Sequence, residues 1–195
     1  MIRYLVTDRR RFGLSCDELT QRIVRAAHRG ATHVQIREPD LTDECLVQLA
    51  RDVAQAVAGS GARVLVNDRA DVAIVAGIDG VHLPADSVSA SRIRGIVPKE
   101  FLVGRSVHSL DEIDRAVAGG GCNYLLFGTV FPSTGKPTGH TLAGLEGLRE
   151  ACARSTLPVI AIGGMTDARA ADVMAAGAAG LAGVGMFMYS GGANG

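Results

Sequence analysis

The sequence predicts a closed (β/α)8 barrel, and three observations carry that prediction. Short apolar runs recur eight times along 195 residues, amphipathic segments alternate with them, and most runs end in Gly or polar residues. Strands buried on both faces read as continuous apolar runs. Strict β–α alternation with eight strands points to closure. An open doubly wound sheet would produce the same alternation.

The eight runs are residues 4–7, 33–37, 64–67, 80–83, 102–107, 124–130, 159–162 and 181–187. Ser15-Cys16-Asp17-Glu18 opens the first helical segment, which sets Leu19, Ile23, Val24 and Ala27 on one face and ends on the basic His28-Arg29-Gly30. A second, residues 41–58, is opened by Thr42 and closed by Gly59. Ser109-Leu110-Asp111-Glu112 fits a capping box. Residues 167–176 form a further helix, ended by Gly177. After the eighth run only residues 188–195 remain, Gly-rich and too short for a last helix. The expectation is therefore a barrel lacking its final helix, the gap reflecting either truncation or a covering partner, which would make a homo-oligomer.

Composition bounds the rest. The length suits one domain, residues 1–195, rather than two. Twenty basic residues balance 20 acidic ones without a long run of either sign, which argues against a general nucleic-acid or anionic-membrane surface. No apolar stretch approaches the roughly 20 residues of a bilayer span, and the start MIRYLVTDRR is not a secretory signal. Cys16, Cys45, Cys122 and Cys152 are widely spaced, as incidental thiols in a reducing cytoplasm would be. Aromatics are 4% and Trp is absent, a poor basis for base stacking.

In a barrel the chemistry sits at the C-terminal strand ends. There the sequence places Asp8, Arg37 and Glu38, Asn67, Asp68 and Arg69, Asp86, Ser106 and His108, Thr129, and Gly163-Gly164. Paired glycines between a strand and a helix start expose backbone N–H groups to an anion. Gly183-Val184-Gly185-Met186 repeats the pattern after the last strand, so Gly163, Gly164, Gly185 and Met186 are candidate phosphate ligands. Tight turns alone would also explain these glycines. Asp68 and Asp86, on neighbouring strand ends, are candidate Mg²⁺ ligands; ion pairing of Asp68 with Arg69 or Arg37 is the alternative. Residues 131–140 read as a polar lid carrying Lys136. His82, inside a strand, reads as a hydrogen-bonded core histidine, and His108, at a strand end, as a proton-transfer candidate. GxSxG, Walker A and HExxH patterns are absent.

Taken together, Tyr4-Leu5-Val6-Thr7-Asp8, Val34-Gln35-Ile36-Arg37-Glu38, Val66-Asn67-Asp68-Arg69, Gly80-Val81-His82-Leu83, Gly104-Arg105-Ser106-Val107-His108-Ser109, Phe127-Gly128-Thr129-Val130-Phe131-Pro132, Gly144-Leu145-Glu146 and Ala161-Ile162-Gly163-Gly164-Met165-Thr166 resemble the thiamine phosphate synthase/TenI superfamily in order over nearly the whole chain. The resemblance implies a (β/α)8 barrel of thiamin biosynthesis that binds a thiazole phosphate at Gly163-Gly164 and Gly185-Met186. Two activities share that scaffold. The synthase joins a hydroxymethylpyrimidine diphosphate to the thiazole phosphate with Mg²⁺, whereas TenI isomerises a thiazole carboxylate phosphate by proton transfer and needs no metal.

By resemblance, Arg37, Asn67, Ser106 and Lys136 match substrate or diphosphate contacts, and Asp68 a metal ligand. A second Lys and a second metal-binding Asp of the synthase pattern fall at Pro39 and Ser87, with Asp86 adjacent. Ile36-Arg37-Glu38, Val81-His82-Leu83-Pro84 and residues 104–110 lie closer to TenI. The resulting expectation is a TenI-like, thiazole tautomerase-type isomerase using His108, Glu38 and Thr129, with no cofactor. A Mg²⁺-dependent synthase is the first alternative, and a non-catalytic binder of thiazole or thiamine phosphate the second.

Overall fold

The computed structural model describes residues 1–133 and 142–188. Eight parallel strands close into a barrel in chain order: β1 (Ile2–Val6), β2 (His33–Ile36), β3 (Arg63–Asn67), β4 (Gly80–Leu83), β5 (Leu102–Val107), β6 (Tyr124–Phe127), β7 (Val159–Ile162) and β8 (Gly180–Gly183). β8 pairs back onto β1, with Ile2 opposite Gly180. Closure excludes the open doubly wound sheet.

The helices are α1 (Cys16–His28), α2 (Asp43–Ala56), α3 (Ala70–Ala76), α4 (Ala90–Arg94), α5 (Leu110–Gly119), α6 (Gly144–Arg154), α7 (Ala170–Ala175) and α8 (Gly185–Met188). Their starts follow local capping chemistry. Ser15 and Glu18 form a reciprocal capping box on α1, and Thr42 accepts from the Cys45 N–H on α2. At α5, Ser109 accepts from the Glu112 N–H, but Glu112 reaches one residue further back, to the His108 N–H at 2.6 Å. That bond fastens the end of β5 to α5.

Two layers of packing result. Outside the barrel, strand residues such as Leu5, Val34, Val64 and Val81 meet helix residues such as Leu19, Ile23, Leu49 and Val53. A second outer cluster joins Leu125, Val159 and Leu181 to Ile113, Leu148 and Val173. Inside, Tyr4, Val6, Leu65, Tyr124, Leu126, Ile160 and Ala182 fill the centre. The period-2 alternation of each strand separates these layers. Val24, expected on the buried face of α1, is half-buried, and Ala26 lies in the seam instead.

Three expectations are corrected here. The last apolar run is not one strand over residues 181–187: β8 ends at Gly183 and the chain turns into α8 from Gly185. A barrel without a final helix is thus amended, since α8 begins one, and it packs against α1. The helix expected over residues 167–176 is divided: a 3-10 turn, Asp167–Arg169, precedes α7, because Thr166 makes no side-chain cap to start an α-helix there. No helix among the described residues is long and apolar enough to cross a membrane.

Candidate active site

The C-terminal strand ends gather the predicted polar residues at one mouth. Inward positions of β2, β3, β4 and β5 direct Gln35, Asn67, His82 and Ser106 to the barrel axis, and a chain of hydrogen bonds joins them. Ser106 Oγ lies 2.9 Å from His82 Nε2, and His82 Nδ1 lies 3.3 Å from the Tyr124 hydroxyl. That hydroxyl is 2.8 Å from the Tyr4 hydroxyl, which donates to Gln35 Oε1 at 3.2 Å. Gln35 Nε2 donates to Asn67 Oδ1 at 2.9 Å. His82 is a buried, hydrogen-bonded core residue, as its strand position predicts. Burial, with a smaller contribution from Arg105, pushes its pKa down to about 3, so the ring is neutral. Burial also raises the Tyr4 and Tyr124 hydroxyls above their ordinary range.

Sequence reasoning missed Gln35, Tyr4 and Tyr124. The available signals were a polar residue inside the apolar run Val34-Gln35-Ile36 and two of the chain's three tyrosines on inward strand positions. The register places Gly104 opposite Tyr124, and a Cβ on Gly104 would lie 2.1 Å from the Tyr124 ring. Glycine there makes the room that the tyrosine fills.

Asp68 follows β3 with φ of 62°, the one non-glycine residue at positive φ among the described residues. Asp and Asn tolerate this conformation better than most residues. Its N–H bonds the His82 carbonyl at 2.8 Å, and its carboxylate accepts the Ser87 hydroxyl. Asp86, expected as its companion, is exposed, and Ser87 faces Asp68 in its place. Arg105 fixes this loop by donating to the carbonyls of Ala85, Ser87 and Val88. Arg69 is no partner for Asp68: it turns outward to pair with Asp43 and Asp71. No group of three or more His, Cys, Asp or Glu side chains gathers among the described residues. An all-oxygen set of one carboxylate and one hydroxyl still fits Mg²⁺, which keeps most of its waters and takes further ligands from substrate phosphates.

Arg37 is exposed and has no ion-pair partner among the described residues, while Arg9, Arg69, Arg149 and Arg154 all do. Its neighbour Glu38 faces the other way. The Glu38 carboxylate accepts from Thr7 Oγ1 at 2.6 Å and from the Arg9 N–H at 3.1 Å, tying the loop after β1 to the end of β2. Burial raises its pKa, although the Thr7 and Arg9 hydrogen bonds oppose the shift. Glu38 is therefore a buried clamp, and both of its oxygens are occupied.

His108 is exposed and lies against the Gly128 carbonyl through Nδ1 at 2.5 Å. Thr129 is buried, its carbonyl accepting from the Ala143 N–H at 2.9 Å. Gly163 and Gly164, with φ of 102° and 61°, let the segment after β6 pack close: a Cβ on Gly163 would meet Thr129 at 2.5 Å, and one on Gly164 the Pro132 carbonyl at 2.4 Å. The end of β7 pairs with β8, Ile162 opposite Ala182, so these glycines neighbour the turn that carries Gly185 and Met186. The Met186 side chain packs into the core beside Met165 and Gly183, leaving only backbone groups of this turn to meet an anion. Lys136 lies outside the described residues.

Residues 3–187 match a family model described as thiamine monophosphate synthase. A thiamine-phosphate synthase of Methanoculleus marisnigri is 42% identical over 80% of this chain and 74% of its own length. That of Roseiflexus sp. is 37% identical over 92% of this chain and 75% of its own. Among solved structures, a thiamine phosphate pyrophosphorylase from Pyrococcus furiosus superposes with a TM-score of 0.84 at 30% identity, over 97% of this chain and 88% of that one. A 3-hexulose-6-phosphate synthase, at 20% identity and a TM-score of 0.69, shares the fold. The relatives overturn the TenI-like isomerisation expected from the sequence, since they carry the synthase name. The geometry agrees with the correction. Glu38 is consumed as a clamp, and a buried Thr129 hydroxyl is a weak base for a proton shuttle.

Proposed function

Because this chain belongs to the thiamine monophosphate synthase family, we propose that it is a thiamine-phosphate synthase. Such a transferase joins a hydroxymethylpyrimidine diphosphate to a thiazole phosphate and releases pyrophosphate. The observation that carries this reading is that Arg37, Asp68 and Ser106 all follow or end strands at one barrel mouth, a cation without an acid partner among the described residues at the same end as an oxygen-only ligand set.

The leaving diphosphate takes the bonding electron pair and gains negative charge as the pyrimidine methylene carbon ionises. Arg37 suits it, because a guanidinium binds phosphate oxygens through two parallel hydrogen bonds. Asp68, with the Ser87 hydroxyl, would hold Mg²⁺. Bound there, the ion supplies positive charge to the diphosphate. Arg105 keeps Ser87 and Asp86 in place by bonding three carbonyls of their loop. Asn67 and Ser106, the two half-buried ends of the Gln35–Tyr4–Tyr124–His82 hydrogen-bonded chain, would flank the pyrimidine ring in this reading. The glycine-rich ends of β7 and β8 offer backbone N–H groups for the phosphate of the thiazole, at the place where barrels commonly bind phosphate. Lys136 adds a second cation for the diphosphate in the same reading.

The test is direct. The purified chain, given pyrimidine diphosphate, thiazole phosphate and Mg²⁺, is expected to form thiamine phosphate, detected by its fluorescent oxidation product, and EDTA is expected to stop it. Absence of product beside an active control synthase would overturn the reading.

A further inference from the structure

The hydrogen-bonded floor of the barrel has a direction that can be worked out by counting donors. Gln35 Nε2 donates to Asn67 Oδ1, so Gln35 Oε1 faces Tyr4 and accepts its proton. The Tyr4 hydroxyl has one hydrogen and has used it, so in the 2.8 Å contact Tyr124 is the donor. Tyr124 has then used its own hydrogen, so its oxygen accepts from His82 Nδ1. A neutral imidazole has one N–H; with Nδ1 carrying it, Nε2 is an acceptor and the 2.9 Å contact takes the Ser106 proton.

Every group in this chain except Ser106 and Asn67 is buried, so water does not compete for these bonds. The neighbours also hold the rings still. The His82 and Tyr124 rings are nearly parallel with centroids 5.8 Å apart, and Gly104 opens the space beside Tyr124. Among the described residues no carboxylate is bonded to His82 to favour a second ring proton.

We propose that the Tyr4–Tyr124 hydroxyl pair holds His82 as its Nδ1–H tautomer, so that Ser106 donates inward and turns an acceptor lone pair to the barrel mouth. Ser106 then selects a substrate ring that offers an N–H donor, such as a ring amine, and disfavours one that offers only lone pairs. Tyr4, Tyr124 and His82 act as positioning residues, since none of them needs to touch substrate. The tautomer belongs to the free protein, whereas its consequence for the pyrimidine rests on the synthase reading.

The test begins with the ¹⁵N spectrum of histidine-labelled wild-type protein, His82 being identified by its loss in His82→Gln. The proton is expected on Nδ1; finding it on Nε2 would overturn the inference without any variant. Tyr4→Phe removes a hydroxyl that does not bond His82, and Tyr124, deprived of its acceptor, turns its proton to His82 Nδ1. The ring is then expected to switch to the Nε2–H form, and Ser106 to become an acceptor toward His82. With the synthase substrates, KM for the pyrimidine diphosphate should rise about tenfold, ~1.4 kcal/mol, while the thiazole phosphate KM stays within about twofold. Should Tyr4→Phe not fold, Tyr124→Phe, which strips Nδ1 of its acceptor, is expected to lose the single Nδ1–H signature. A ring that keeps its Nδ1 proton in a folded variant sinks the role given to the tyrosines. Absence of wild-type turnover with an Nδ1–H ring would refute the synthase reading and leave the tautomer standing.

Discussion

Ser87 donates its hydroxyl to the carboxylate of Asp68, joining the loop after β4 to the residue that follows β3. The bond brings a carboxylate and a hydroxyl oxygen together at the mouth, the pair that would hold Mg²⁺ in the synthase reading. Asp68→Asn keeps the side-chain shape and tolerates the positive φ, so it removes charge with little strain. A loss of kcat/KM of ~100-fold or more is expected, about 2.7 kcal/mol of transition-state stabilisation, and a Mg²⁺ titration of the activity measures it. Ser87→Ala should cost only a few-fold, because water can replace the hydroxyl on a Mg²⁺ ion.

Arg37 and Arg69 both lie at strand ends but differ in their partners. Arg69 is held outward by Asp43 and Asp71, and Arg37 has no acid partner among the described residues. Arg37→Ala is expected to raise KM for the diphosphate substrate about tenfold with a shift in Tm of no more than a degree or two, since exposed side chains contribute little stability. Arg69→Ala should leave that KM unchanged. Steady-state kinetics and thermal melts of both variants compare the two directly.

Gly104 exists for Tyr124. An added Cβ would sit 2.1 Å from the tyrosine ring inside a filled barrel, and overpacking of this kind costs roughly 1–3 kcal/mol or more. Gly104→Ala should lower the urea midpoint by a matching amount, and Gly104→Ala combined with Tyr124→Phe should not restore it, because the ring rather than the hydroxyl is the obstacle. Full stability of Gly104→Ala would show that the ring has room to move.

Glu38 gives a pH dependence of known sign. Burial raises its folded-state pKa above the unfolded value, so the folded chain binds the proton more tightly. Its contribution to stability is therefore present below the unfolded pKa of about 4.3 and is lost as pH rises through the folded value. Wild type should gain stability relative to Glu38→Gln as pH falls from 7 toward 4, read as the difference in urea midpoints. A difference that is flat, or that grows toward neutral pH, would contradict the assignment.

The two activities that share this scaffold show where local reading goes astray. Pro39 and Ser87, in place of a Lys and an Asp, direct attention away from the synthase when positions are weighed singly. Similarity over most of the chain reverses that balance. Ser87 then proves to bond Asp68 itself, so the position keeps an oxygen at the site without its charge.

What the sequence by itself determined is everything written in short range. Eight apolar runs, the Ser15 and Thr42 caps and the polar residues after each strand specify alternating strands and helices and the strand ends at which the chemistry lies. Helix and strand periods and capping bonds involve neighbours only a few residues apart, while closure into a barrel rests on the long-range pairing of β8 with β1. What only the tertiary structure decided is who faces whom across the mouth and the axis. Tyr4 and Tyr124 meet over 120 positions of sequence, Ser87 rather than Asp86 reaches Asp68, and Glu38 is spent on Thr7 and Arg9. Barrel closure brings those partners together, and a one-residue difference on a loop, which no period records, settles which side chain points in.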